Sequence, residues 1–222
     1  MCGRYNLITD AQAFVDFFAL SNTLPMPPRY NIAPSQNIPV VRLVENRREA
    51  GLLHWGLIPH WAKDRKMAYR MINARAETVA DKPAYRSAFQ RRRCLIPATG
   101  FFEWRPIGGG KRPYNITLRE GGLMAFAGLW ESWAGLAGER IESCTIIVTE
   151  ANAAVRPIHD RMPVILAPAL HETWLDPAVR DAETLQSLLR PYPAELIQAY
   201  PVSTSVGNPA NDGPVCIEPL AE

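Results

Sequence analysis

Short apolar runs set the limits on what this chain can fold into. Eight of them, at Ile38–Val44, Leu52–Trp55, Cys94–Pro97, Phe101–Trp104, Tyr114–Leu118, Leu123–Leu129, Cys144–Thr149 and Val164–Leu166, are three to seven residues long. That length and their β-branched and aromatic content predict strands. Gly108-Gly109-Gly110 lies between two of them and predicts a hairpin turn. Helical patterning is confined to a few stretches. One runs from Asp10, placed to cap, to Leu20, with Phe14, Phe17 and Phe18 on one side; others cover Ala84–Gln90, Pro168–Leu175 and Ala182–Leu189. Strands joined by short turns, with helices at the edges, predict an α+β fold. It is a single domain, residues 1–222, with a strongly bent, mostly antiparallel, barrel-like β core flanked by short helices. The 20 prolines are spread along the chain, and Pro25, Pro27 and Pro28 read as a bend within that domain.

Hydrophobic residues make up 47% of 222, enough to bury a full core without covalent staples. No apolar run reaches the roughly 18 residues of a membrane span, and the N-terminus has no charged-then-apolar signal segment. Cys2, Cys94, Cys144 and Cys216 lie far apart with no Cys-x-x-Cys pair. That spacing argues against a zinc site and against a disulfide framework. No cofactor or metal is expected. The expected compartment is the reducing cytoplasm. Cys94 and Cys144 sit in apolar runs and read as core.

Against this background Cys2 stands apart. Initiator methionine is normally removed when the following side chain is small, so the mature chain would begin with Cys2. A terminal cysteine is a 1,2-aminothiol whose amine and thiol ordinarily titrate at about 8 and 8.5. Such a group condenses with aldehydes: the amine forms an imine and the thiolate closes onto it as a five-membered thiazolidine. Taken alone, the position reads more readily as an incidental cysteine.

Charge is segregated. Ten Lys and Arg face three acids between His60 and Arg93, a local balance of +7; two Arg face eight acids from His171 to Glu222, a balance of −6. The basic stretch reads either as a solvated face or as a polyanion-binding surface. Polar residues interrupt the apolar pattern in four places. Asn73-Ala74-Arg75-Ala76-Glu77 offers an amide and a guanidinium fork suited to phosphate, or an ordinary polar turn. Glu103 lies among Phe101, Phe102 and Trp104. Burial there would raise its pKa and suit acid–base work, whereas simple alternation would send it to solvent. His159-Asp160-Arg161 precedes an apolar run and offers a proton carrier beside a cation. Trp61, between His60 and Lys63, fits a base-stacking platform, while Trp55 reads as core.

Together, and in this order, these segments resemble the SRAP family (SOS-response-associated peptidase). The matching pieces are MCGRY at 1–5, YNIAP at 30–34, WGLIPHWAKD at 55–64, INARAE at 72–77, RCLIPA at 93–98, GFFEW at 100–104, IHDRMP at 158–163 and PVSTSVGN at 201–208. The resemblance spans nearly the whole chain. It implies a barrel-like α+β domain with a positively charged DNA groove. It also implies capture of abasic sites in single-stranded DNA through a thiazolidine on Cys2, with no membrane partner. Asn73 would hold the sugar, with Arg75 on the adjacent phosphate. Glu103 and His159 would move protons, and Arg161 would contact phosphate. Arg4 and Trp61 would join the DNA surface, with Pro34 near the pocket. The resemblance also leaves a hydrolase reading, in which Cys2 attacks an amide, including that of its own Met1.

Overall fold

The computed structural model describes residues 2–135 and 138–220. In chain order the strands are β1 (Tyr5–Leu7), β2 (Arg29–Ile32), β3 (Asn37–Val44), β4 (Arg47–Trp55), β5 (Asn73–Arg75), β6 (Arg93–Ala98), β7 (Gly100–Ile107), β8 (Gly110–Leu118), β9 (Met124–Ala134), β10 (Arg140–Glu150), β11 (Arg161–Pro163), β12 (Ile165–Leu166) and β13 (Ile197–Pro201). The helices are α1 (Ala11–Phe18), α2 (Arg86–Arg91), α3 (His171–Leu175) and α4 (Ala182–Ser187), with short 3-10 turns between elements. Among the described residues no helix is long and apolar enough to cross a membrane.

Five strands close on themselves. β10 pairs with β4, β4 with β3, β3 with β6, β6 with β9, and β9 returns to β10. All these pairings are antiparallel except β10 with β4. Closure sends alternate side chains inward and outward. Cys94 and Ile96 of β6, Phe126 of β9 and Ile146 of β10 share an inner cluster with Trp55 and Tyr5. Leu95, Ala127 and Ile147, one step along, face outward against Phe14 and Phe18 of α1 and Trp174 of α3. The space inside is tight. A Cβ on Gly128 would lie 2.8 Å from Ile96 Cδ1 and 2.9 Å from Cys94 Sγ, so the barrel closes around a residue with no side chain.

A second, antiparallel sheet, in the order β13-β8-β7-β1-β2, lies alongside and supplies the site. Its β7–β8 hairpin turns at Gly108-Gly109, with Ile107 opposite Gly110 and Gly109 at φ +89°, a value that favours glycine. The expected α1 is capped by Asp10, which accepts from Ala13 N at 2.9 Å; Phe14 and Phe18 are buried as its periodicity requires. The 168–175 stretch divides into a 3-10 turn and α3. Trp55 is core, and Cys94 and Cys144 are buried free thiols.

Candidate active site

Cys2 lies just before β1, and β1 fixes where it goes. Tyr5 pairs with Phe101 and Asn6 with Gly100, and Phe102 N donates to Arg4 O at 2.9 Å. Extending this antiparallel register towards the N-terminus runs Cys2 and Gly3 beside Glu103. β7 is buried on both faces. Phe101 belongs to the barrel core, whereas Phe102 packs with Val202, Val206 and Cys216. Alternation therefore holds, but it sends Glu103 to the Phe101 side, towards Cys2, and not to solvent. Glu103 is 3% exposed. Burial pushes its carboxyl up to about 7, far from the ordinary carboxylate range.

His159 follows a helical turn in which Ile158 N and His159 N both donate to Val155 O. Its Nε2 lies 3.8 Å from Glu103 Oε2. Its Nδ1 accepts from Arg161 N at 3.0 Å and lies 2.9 Å from Asp160 Oδ1. The backbone bond needs a bare Nδ1 and an Asp160 hydrogen bond a protonated one, so the two contacts are alternatives set by whether Nδ1 carries a proton. Burial lowers the pKa of His159 from its usual value. A carboxyl raised and an imidazole lowered, side by side, suit a proton donor and a proton acceptor working near neutrality.

Cys2 is fully buried. Burial pushes its thiol above the ordinary range, and the charge of Glu103 adds to the effect. The ordinary value of about 8.5 expected for a terminal cysteine therefore does not hold for the buried thiol, which burial favours in its protonated form.

Asn73 and Arg75 share one face of β5, with Ala74 turned into the outer core between them. β5 runs parallel to β10, Asn73 opposite Ile146 and Arg75 opposite Val148. Asn73 Nδ2 donates to Ile72 O at 3.0 Å, while its buried Oδ1 meets no hydrogen-bond donor among the described residues. Arg75 is exposed. Arg161 opens β11, on the other edge of β10, and its Nη1 donates to Glu77 Oε1.

Arg4 is engaged within the protein. Nη1 donates to Asn31 Oδ1 (2.9 Å) and Val206 O (2.8 Å), and Nη2 to Gly207 O (3.2 Å). Two of the sequence motifs are thereby joined through the first. Pro34 is half-buried in the turn between β2 and β3, tied to the end of β4 by Ser35 N donating to Trp55 O at 2.8 Å. Trp61 is 50% exposed on the segment leaving β4. The structure therefore gathers Cys2, Glu103 and His159 closely, sets Asn73, Arg75 and Arg161 on strands flanking β10, and leaves Trp61 on a neighbouring loop.

Two residues escaped the sequence reading. Tyr69, on the 3-10 turn Arg65–Arg70, is 71% exposed within the basic stretch. The rule that picked out Trp61, an aromatic among cations, applies equally to it. Glu131, 4% exposed on β9, binds His60 and Arg92; no local pattern marks it.

A small closed barrel with a buried thiol at its second residue, set beside a carboxylate–imidazole pair, defines the class of site this chain carries. Residues 1–209 match the family model described as SOS response associated peptidase (SRAP), and the chain belongs to that family. It is 45% identical over 222 residues to the abasic site processing protein YoqW of Bacillus subtilis, covering 98% of this chain and 99% of that one. It is 34% identical over 225 residues to the abasic site processing protein HMCES of Gallus gallus, covering 87% of this chain and 66% of that one. A crystal structure of a Bacteroides thetaiotaomicron protein superposes with a TM-score of 0.90 at 27% identity, covering 99% of this chain and all of that one.

Proposed function

We propose that this protein captures abasic sites in single-stranded DNA by covalent attachment to Cys2, shielding them during the response to DNA damage. The observation that carries the reading is Cys2 placed beside the Glu103–His159 pair at the start of β1. Names shared by relatives over nearly the whole chain support abasic sites as the target.

Removal of Met1 frees the Cys2 amine. The ring-opened abasic sugar presents an aldehyde at C1. The amine attacks C1 to give a carbinolamine, and Glu103, the group held nearer its protonated form, delivers a proton to the departing hydroxyl. Water leaves, and the iminium that remains returns its N–H proton to Glu103 to give the imine. The Cys2 thiol passes its proton to His159, the sulfur bonds to the same carbon, and His159 hands that proton to the nitrogen as the thiazolidine closes. The net change is one aldehyde and one aminothiol converted to thiazolidine plus one water. Ring closure matters because an imine left open favours β-elimination and strand breakage. Asn73, whose Oδ1 is a spare acceptor, orients the sugar hydroxyl. Arg75 and Arg161 hold flanking phosphates, Arg161 exchanging Glu77 for the ligand. Arg4 shapes the same surface through its carbonyl bonds, and Pro34 borders it. Trp61 and Tyr69 offer faces on which bases stack.

The deciding experiment uses a denaturing gel with a labelled single-stranded oligonucleotide carrying one abasic site, beside an intact control. The mature protein yields a heat-stable shifted band on the abasic strand alone, and Cys2→Ala yields none. Equal bands from both proteins overturn the reading. A second reading, Cys2 as the N-terminal nucleophile of a peptidase or amidohydrolase that also removes its own Met1, draws on the same three residues. No band from protein whose mass shows Met1 removed, with release of a labelled peptide, selects it.

A further inference from the structure

Trp61 is exposed, but both of its neighbours are gripped from the same face of one strand. His60 Nδ1 lies 3.2 Å from Glu131 Oε2, and Ala62 O accepts from Trp133 Nε1 at 2.7 Å. Glu131 and Trp133 are two residues apart on β9, so their side chains emerge side by side. The grip is itself fixed. Glu131 Oε2 also accepts from Arg92 Nη2 at 2.8 Å, and Glu131 Oε1 accepts from Ser132 N at 3.1 Å. Further back, Ile58 N donates to Ser143 Oγ at 2.9 Å, and Gly56, at φ +134°, passes so close to the Ala68 carbonyl that a Cβ would lie 2.7 Å from its oxygen. Ile58, Ala62, Ala68 and Trp133 form a small core of their own beneath the loop. The loop is therefore braced through its backbone and flanking residues, while the indole between them stays half exposed.

We propose that Glu131 and Trp133 are positioning residues that hold Trp61 as a preset stacking platform for an unpaired base next to the captured site. This rests on the single-strand reading above. A flexible loop would have to be ordered when the strand binds; a braced one has already met that cost, so bracing appears as affinity and leaves the covalent step unchanged. Neither residue touches the Cys2–Glu103–His159 group.

The test is a double-mutant cycle on non-covalent binding of an intact, unstructured single-stranded oligonucleotide, read by fluorescence anisotropy. The four proteins are wild type, Trp61→Ala, Glu131→Gln and the double variant, each confirmed folded by thermal melting. Stacking on one aromatic predicts that Trp61→Ala weakens binding about tenfold. Glu131→Gln is expected to weaken it about fivefold, and the double variant no more than Trp61→Ala alone. Trp133→Phe, which keeps the ring but loses the N–H, repeats the cycle should Glu131→Gln fail to fold. Crosslinking to an abasic strand at saturating DNA keeps its wild-type rate in both single positioning variants. Losses that simply multiply, or an unchanged Kd in Glu131→Gln and Trp133→Phe, overturn the inference, as does wild-type protein that fails to bind the intact strand. A wild type that binds with the expected cycle yet forms no abasic crosslink sinks the capture reading and leaves the platform standing.

Discussion

Glu103 sits where a carboxylate is unwelcome: on a strand covered on both faces, beside a buried thiol. Its pKa of about 7 states the cost directly. In the unfolded chain the group ionises near its ordinary 4.5, whereas in the folded chain it stays protonated to about 7. Below both values folding gains and loses nothing from it. As pH rises between them the unfolded state releases the proton first, so stability falls, by a total on the order of 3 kcal/mol above pH 7. His159 works in the opposite sense, costing stability as pH falls below its ordinary value. A comparison with Glu103→Gln cancels that contribution. The expected result of urea denaturation from pH 4.5 to 8 is a stability difference that grows in favour of Glu103→Gln with rising pH and levels off above about 7. The same variant loses most of its crosslinking rate. A difference that does not change with pH would mean that Glu103 ionises freely in the fold. A group that destabilises the fold where it stands is what a residue set by function, and not by packing, would be.

Apart from β7, which carries Glu103, the elements that carry the site are ones apolar periodicity does not reveal. The eight strands it does reveal were legible because each contains an apolar run: five of them close the barrel, and β7, β8 and β12 lie outside that closed set. β5 is Asn73-Ala74-Arg75, and nothing in that composition favours a strand; it forms because β10 offers it an edge. β1, β2, β11 and β13 are likewise short and owe their conformation to pairing. Motif order found their residues, while propensity missed their structure. The sequence reading also identified YNIAP without a reason for its Asn. Asn31 is fully buried, and its Nδ2 faces Val206 O (3.1 Å), Asn208 O (3.1 Å) and Asn211 O (2.7 Å), while its Oδ1 accepts from Arg4. It staples the C-terminal segment across β2, and Asp212 adds bonds to the Tyr30 and Asn31 amides and to Arg29. No local pattern shows a contact that spans 175 residues of chain. At roughly 1 kcal/mol for each buried hydrogen bond, Asn31→Ala is expected to cost about 2–3 kcal/mol in urea denaturation. Limited proteolysis should then cut first between Thr204 and Gly213. Cleavage there at the wild-type rate would show that the hydrophobic contacts of Val206 and Cys216 hold the segment without the staple.

At the scale of the molecule, the charge tally from the sequence is right in sign and too generous in number. Of the ten cations between His60 and Arg93, Arg93 is buried and spends its guanidinium on the carbonyls of Phe89, Trp174, Asp176 and Val179, drawing the acidic C-terminal third onto the basic segment. Arg92 is held by Glu131. The remaining eight, Arg75 among them, are exposed. Outside the stretch, Arg161 is already paired with Glu77. Net charge alone would make every exposed cation a DNA contact, whereas the proposed capture mode gives that role to those flanking β10. The two views differ in salt dependence. Each phosphate neutralised on a single strand contributes roughly −0.7 to the slope of log affinity against log salt. If Arg75 holds one phosphate, Arg75→Ala flattens that slope by about 0.7, and replacing Lys82, exposed but not among the residues proposed to hold the strand, leaves it unchanged. The anisotropy titration is run from about 50 to 300 mM salt on an intact strand. Crosslink yield at saturating abasic DNA should be insensitive to salt over the same range, because the bond formed at Cys2 is covalent. Equal flattening by both variants would return the surface to a diffuse polyanion-binding face, and the placement of Arg75 beside Asn73 on β5 would then carry no special meaning for the strand.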